Sequence, residues 1–172
     1  MINTPTKITI ATQVLVYASQ EDLPQDEKEL VMQAREAMKT SYSPYSHFSV
    51  GAAVLLTDGT VVQGSNQENA AYGPTNCAER SALFAIGSMG KGDMVSKIAV
   101  IARPTDKLHE TAPLEKEMPG SPCGVCRQVL KEYEDVVQKP ITILMVANTD
   151  RIYKTEGIDS LLPLAFGPAD LA

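Results

Sequence analysis

At 172 residues the chain has the length of one domain that buries a single substantial core, and no stretch rich in Pro, Gly or Ser divides it. Hydrophobic residues make up 44% and charged residues 21%, and no apolar run nears the ~18 residues that a membrane-spanning helix needs, so no membrane span is expected. The formal net charge of -6, with no basic stripe, argues against nucleic acid as a partner, because affinity for a polyanion comes mostly from basic side chains meeting phosphates.

Lys7 to Tyr17 is rich in β-branched residues and predicts a strand, closed off by Pro24 and the acidic turn at Asp26. It lacks a basic leader and a small-residue cleavage site, so it is not read as a secretory signal. From Glu27, apolar positions Leu30, Val31, Ala34, Ala37 and Met38 recur every three or four residues and predict a helix, which the Ser41–Ser46 loop with Pro44 ends. Ser49–Leu56 and Thr60–Gly64 predict a hairpin around Thr57-Asp58-Gly59, since Asp-Gly is a strong turn signal. Asn76–Met89 has helical spacing at Ala78, Ala82, Leu83 and Ile86, and Lys97–Ala102 is a compact apolar strand. A long charged loop, Arg103–Ser121, leads to a helix with Pro122 as its first residue, carried by Val125, Val129 and Leu130 to about Asp135. Ile141–Ala147 predicts a buried strand, Arg151–Lys154 a neighbour for it, and the tail from Ser160 a short turn or helix. The alternation predicts an α/β domain with helices covering a mixed sheet.

The chemistry is concentrated in three cysteines. Cys77-Ala78-Glu79 and Pro122-Cys123-Gly124-Val125-Cys126 hold every thiol of the chain. Three thiolates bind zinc and leave the fourth tetrahedral position open, which is the pattern of a catalytic site and not of a closed structural one. An odd number of cysteines gathered into one metal pattern suits a reducing compartment, so the cytoplasm is the expected setting. Cys77 and Cys123 fall in the first turns of two predicted helices, whose N-termini help offset the net negative charge of three thiolates on a dication. Arg80 and Arg127 lie three and four residues beyond those cysteines, on the same helix faces, and either can reach a ligand sulfur; for Arg127 an ordinary solvated position is an equal alternative. Cys123-x-x-Cys126 alone would also fit a redox dithiol, but no thioredoxin-like strand precedes it. Glu79 sits two residues past Cys77, near the metal without being a ligand, which suits a proton shuttle. The competing reading is a capping box between Asn76 and Glu79. His47 and His109 have no ligand-like spacing and are read as surface or loop residues.

With these motifs in place the chain resembles the small, three-cysteine cytidine deaminases. Phe48-Ser49-Val50-Gly51-Ala52-Ala53, Asn66-Gln67-Glu68-Asn69-Ala70-Ala71-Tyr72, Cys77-Ala78-Glu79-Arg80 and Pro122-Cys123-Gly124-Val125-Cys126-Arg127-Gln128 stand in that family's order and spacing, and Leu161–Phe166 is similar to its C-terminal segment. The resemblance covers residues 27–172 as a catalytic domain and leaves 1–26 as a strand-like N-terminal extension. It implies a three-layer α/β/α sandwich around a mixed sheet, assembled as a homotetramer. It implies one zinc per subunit on Cys77, Cys123 and Cys126, with Arg80 and Arg127 behind the thiolates. Glu79 is then the general acid/base as metal-activated water attacks cytosine C4 and ammonia leaves. By the same resemblance Asn66 and Glu68 hold the ribose 3′-hydroxyl, Phe48 packs on the pyrimidine, Ala78 contacts the substrate, and Tyr72 and Phe166 close pockets across subunits.

The implied activity is deamination of cytidine and deoxycytidine in pyrimidine salvage. One alternative is a deaminase of a modified cytosine nucleoside of the blasticidin S type, against which the Asn66/Glu68 pair and the Phe166 tail argue. Another is a non-enzymatic zinc module, which needs a fourth protein ligand that the sequence does not place. A polynucleotide deaminase is disfavoured by the acidic charge and by Cys77 standing where such enzymes usually carry histidine. The acidic insert from Thr105 to Met118 and the Pro74-Thr75-Asn76 run carry no assigned role.

Overall fold

The computed structural model describes residues 5–105 and 117–171. Its elements are β1 (Leu15–Tyr17), α1 (Gln25–Ala37), β2 (Phe48–Leu56), β3 (Val61–Ser65), α2 (Ala78–Ser88), β4 (Val95–Pro104), α3 (Gly124–Val137), β5 (Thr142–Val146) and β6 (Ile152–Glu156), with short 3₁₀ turns between them. The strands form one sheet in the order β1-β6-β5-β4-β2-β3. Only β4 and β5 run parallel, and their connection carries α3, as a parallel pair requires a crossover. The hairpin forms as its sequence predicts: Gly59 has φ 84°, and Asp58 Oδ1 accepts from Thr60 N at 2.9 Å.

Three layers result. On one face α1 buries Leu30, Val31 and Ala34 against Ala53, Ala99, Ile101 and Leu144. On the other, α2 and α3 bury Ala82, Leu83, Ile86 and Leu130 against Val54, Ile98, Val100 and Ile143. The strands β2 and β4 therefore feed alternate residues to opposite cores, the period-two pattern of a sheet covered on both sides. Gly51 and Gly64 let the helices approach. A Cβ on Gly51 would stand 2.1 Å from the Ala34 carbonyl oxygen, and one on Gly64 would stand 2.4 Å from that of Ala78. Among the described residues no helix is long and apolar enough to cross a membrane.

Three sequence expectations need correction. The strand expected over Lys7–Tyr17 shrinks to Leu15–Tyr17, which pairs with Lys154, Tyr153 and Ile152. By that register residues 7–12 lie beyond the end of β6, which stops at Glu156 before the Gly157 turn (φ 81°), so no ladder is available to them. The helix expected to begin at Pro122 begins at Gly124, and that expected from Asn76 begins at Ala78, so Cys123 and Cys77 are N-caps and not first-turn residues. His47 is an exposed loop residue with φ 54°, as expected of a loop, whereas His109 and most of the acidic insert lie outside the described residues.

Candidate metal and substrate site

The two N-caps decide where the thiols meet. Cys77 (φ -76°, ψ 156°) and Cys123 (φ -67°, ψ 167°) both have extended backbone, and neither side chain caps its own helix. The free N–H groups of two first turns thus face one point, bringing partial positive charge to it. Cys126, wholly buried in the first turn of α3, completes the group. Cys77 Sγ lies 3.8 Å from Cys123 Sγ, which lies 3.5 Å from Cys126 Sγ. A tetrahedral zinc with thiolate bonds of usual length separates its sulfurs by about 3.8 Å, so the donor set fits that ion. These three are the one such group found among the described residues.

The arginines differ. Arg80 Nη2 stands 3.7 Å from Cys77 Sγ and 3.3 Å from the Thr75 carbonyl, so it faces a ligand sulfur as its spacing predicts. Arg127 does not turn to a thiol. Its Nε donates to the Pro122 carbonyl and its Nη1 to the Leu161 carbonyl, both at 2.8 Å. The physical reason is that Cys123 is itself the N-cap, so a residue four positions on is directed at the loop before the helix and at the C-terminal segment behind it. Electrostatics follow the geometry. Hydrogen bonding to Cys126 and Arg80 pulls the Cys77 thiol down to about 5 despite partial burial, while Cys126 is pushed up by hydrogen bonding to Cys77 and by burial.

Glu79 is 4% exposed and lines the same cavity as Cys77 and Cys123. Burial, with the neighbouring Cys77 charge adding, raises its carboxyl to about 7. The capping-box alternative is not realised: the cap is Cys77, and Asn76 Nδ2 donates instead to Ser81 Oγ at 3.1 Å.

The cavity beside the thiols measures about 590 Å³ and takes in Phe48, Asn66 and Glu68 from the sequence-derived set. Asn66 is braced from within. Its Oδ1 accepts from Ser41 Oγ at 2.6 Å and from Val50 N at 2.9 Å, and its Nδ2 donates to the Phe48 carbonyl at 2.9 Å. Glu68 Oε2 accepts from the main-chain N–H groups of Tyr45 and Ser46, and bonding to Ser46 holds its carboxyl below the usual value. Tyr72, Ala78 and Phe166 do not line this cavity. Tyr72 is 73% and Phe166 56% exposed, whereas Ala78 is fully buried where α2 crosses Gly64.

A wall made by Met118–Ser121 and Asn148 was not anticipated. Met118 N donates to Asn148 Oδ1 at 2.9 Å, Asn148 N to the Met118 carbonyl at 3.2 Å, and Gly120 N to the Val146 carbonyl at 3.2 Å. A Cβ on Gly120 would meet the Val146 and Val100 carbonyl oxygens at 3.0 and 3.1 Å, so glycine lets this segment lie close against the middle of β4 and the end of β5. The Pro119-Gly120 pair was a usable signal for a tight segment. Asn148 offered none.

Comparison with known proteins joins this geometry to a lineage. Residues 24–141 match the family model described as the cytidine and deoxycytidylate deaminase zinc-binding region, a span that includes all three cysteines and Glu79. The chain belongs to the cytidine and deoxycytidylate deaminase family. It is 40% identical to the cytidine deaminase of Halalkalibacterium halodurans over 85% of this chain and 98% of that protein. To the cytidine deaminase of Sporosarcina psychrophila it is 37% identical, over 86% and 96%. The crystal structure of the cytidine deaminase from Burkholderia pseudomallei superposes with a TM-score of 0.66 at 35% identity, covering 80% of this chain and 97% of that one. The α/β architecture is that of a deaminase of this family, and its zinc-binding character fits the three-cysteine group.

Proposed function

We propose that this deaminase hydrolyses cytidine and deoxycytidine to uridine and deoxyuridine with release of ammonia, serving pyrimidine salvage in the cytoplasm as a homotetramer. The observation that carries the reading is Glu79, a buried carboxyl that is not part of the thiol triad yet shares its cavity. Cys77, Cys123 and Cys126 hold zinc through their thiolates, three protein ligands that leave the coordination shell open. Bound there, zinc supplies the Lewis acidity that makes water a nucleophile toward cytosine C4 near neutral pH.

Glu79 moves the protons. It accepts a proton from the attacking water and passes it to ring N3, then takes the proton of the resulting C4 hydroxyl and delivers it to the departing amine. A carboxyl raised toward neutrality by burial suits both accepting and donating. Phe48 packs on the pyrimidine face. With Oε2 of Glu68 fixed by two main-chain N–H groups, Oε1 accepts from a ribose hydroxyl, and Asn66, its Oδ1 already engaged twice, adds its remaining amide hydrogen. Tyr72 and Phe166, exposed on one copy, reach the substrate of a neighbouring copy.

The test is direct. Zinc-loaded protein mixed with cytidine or deoxycytidine is expected to release ammonia with each, and silence with both would remove the reading.

A further inference from the structure

The helices that end in Cys77 and Cys123 are joined a second time, far from the thiols. Tyr133, on α3, donates its phenol hydrogen to the Leu83 carbonyl of α2 at 2.5 Å. The oxygen is thus wedged against the Leu83–Gly87 turn of α2. Gly87 makes room for it, since a Cβ there would stand 2.8 Å from the phenol oxygen. At ~1.5 Å of rise per residue, this contact lies ~9 Å along α2 from Cys77 and ~15 Å along α3 from Cys123.

We infer that Tyr133, seated on Gly87, is a positioning residue for the metal site. It fixes the spacing and roll of α2 against α3, and through them the separation of the thiols they carry. The side chains packed between the two helices, Leu83, Ile86, Val129 and Leu130, are apolar and set no register by themselves. A hydrogen bond with one donor and one acceptor does. With the thiols at one end and the phenol at the other, rotation of either helix has to break a directional contact. The inference rests on the reading that the three cysteines hold zinc, and it concerns what sets their affinity.

Zinc affinity of the full chain is measured by competition with a chromogenic chelator, with melting temperatures of the zinc-free and zinc-loaded forms. Tyr133→Phe keeps the ring and removes the bond. It is expected to weaken zinc binding about 10-fold, the low end for residues that orient metal ligands, and to shrink the rise in melting temperature that zinc produces. Gly87→Ala, which pushes on the phenol oxygen, is expected to act in the same direction. In the Tyr133→Phe background, where that oxygen is gone, Gly87→Ala should add little, a non-additivity peculiar to a direct contact. If Tyr133→Phe is insoluble, Gly87→Ala alone carries the affinity test. Unchanged zinc affinity, with both forms destabilised equally, would overturn the inference and leave Tyr133 as ordinary packing. Strictly additive effects would overturn it too. A wild-type protein that binds no zinc overturns the metal reading along with it, whereas wild-type binding matched by the variants overturns this one alone.

Discussion

Arg80 reaches Cys77 across a single helical turn, with Nη2 3.7 Å from Sγ, and anchors on the Thr75 carbonyl at the same time. One guanidinium thereby ties the loop before α2 to the thiol at its N-cap and lowers the charge that three thiolates accumulate. Arg80→Ala is expected to weaken zinc binding ~10–100-fold, with Arg80→Lys intermediate because a point charge cannot keep both contacts. Chelator competition reads this, and equal affinity in all three proteins would contradict it.

Glu79 is the second prediction. Glu79→Gln keeps the volume and much of the hydrogen bonding but cannot take up a proton. Zinc content by elemental analysis should stay at the wild-type level while ammonia release falls by at least ~10²–10⁴-fold. Full turnover in the variant would dismiss Glu79 as the proton carrier.

Arg127 distinguishes a charge from a bridge. Its two bonds run to the Pro122 and Leu161 carbonyls, so it couples the residue before Cys123 to the C-terminal segment. If charge alone matters, Arg127→Lys is harmless. The bridging geometry predicts instead that Arg127→Lys loosens the tail, seen as faster proteolytic trimming after Leu161, with a smaller loss of zinc affinity than Arg80→Ala gives.

Removing residues 1–20 deletes β1 and bares the outer edge of β6. Unpaired strand edges invite association with other chains. The truncated protein is expected to lose solubility or change its assembly in sedimentation while binding zinc as before. Loss of the metal would count against placing the arm outside the catalytic unit.

Asp150 links three elements, accepting from Arg103 at 2.7 Å and from Arg35 at 3.0 Å at the β5–β6 turn. Burial works to raise its carboxyl, but the two arginines outweigh it and leave the value below the ordinary 3.8. A carboxyl lowered in the folded state adds stability that is present above the unfolded value and is lost as the pH falls below it. The unfolding midpoint of Asp150→Asn in urea should therefore lie below wild type at pH 6. The gap should narrow as the pH falls below 4. A constant gap would show that charge is not its source.

How much of this was legible in the sequence varied with the range of the interaction. The Asp58-Gly59 hairpin and the α1 face of Leu30, Val31 and Ala34 were legible because turn geometry and helical spacing are local. The thiol triad was legible as a set because zinc chemistry restricts ligand type and spacing so strongly. The arm was not, since Lys7–Thr12 has β-rich composition but lies beyond the end of β6, and a strand needs a partner. Nor was the task of Arg127, whose spacing from Cys123 was read correctly while its helix register, shifted by the N-cap, turned it to carbonyls.

The sequence by itself determined the donor set, the acid beside it and the alternation of elements, because each depends on residue identity and on spacing along one chain. Only the tertiary structure decided that Asn148 walls the cavity, that Asn66 is braced on three sides, and that Tyr133 seats on Gly87. These join residues far apart in the chain, and their pairing follows from how helices settle on a twisted sheet, a geometry that no single stretch of sequence encodes.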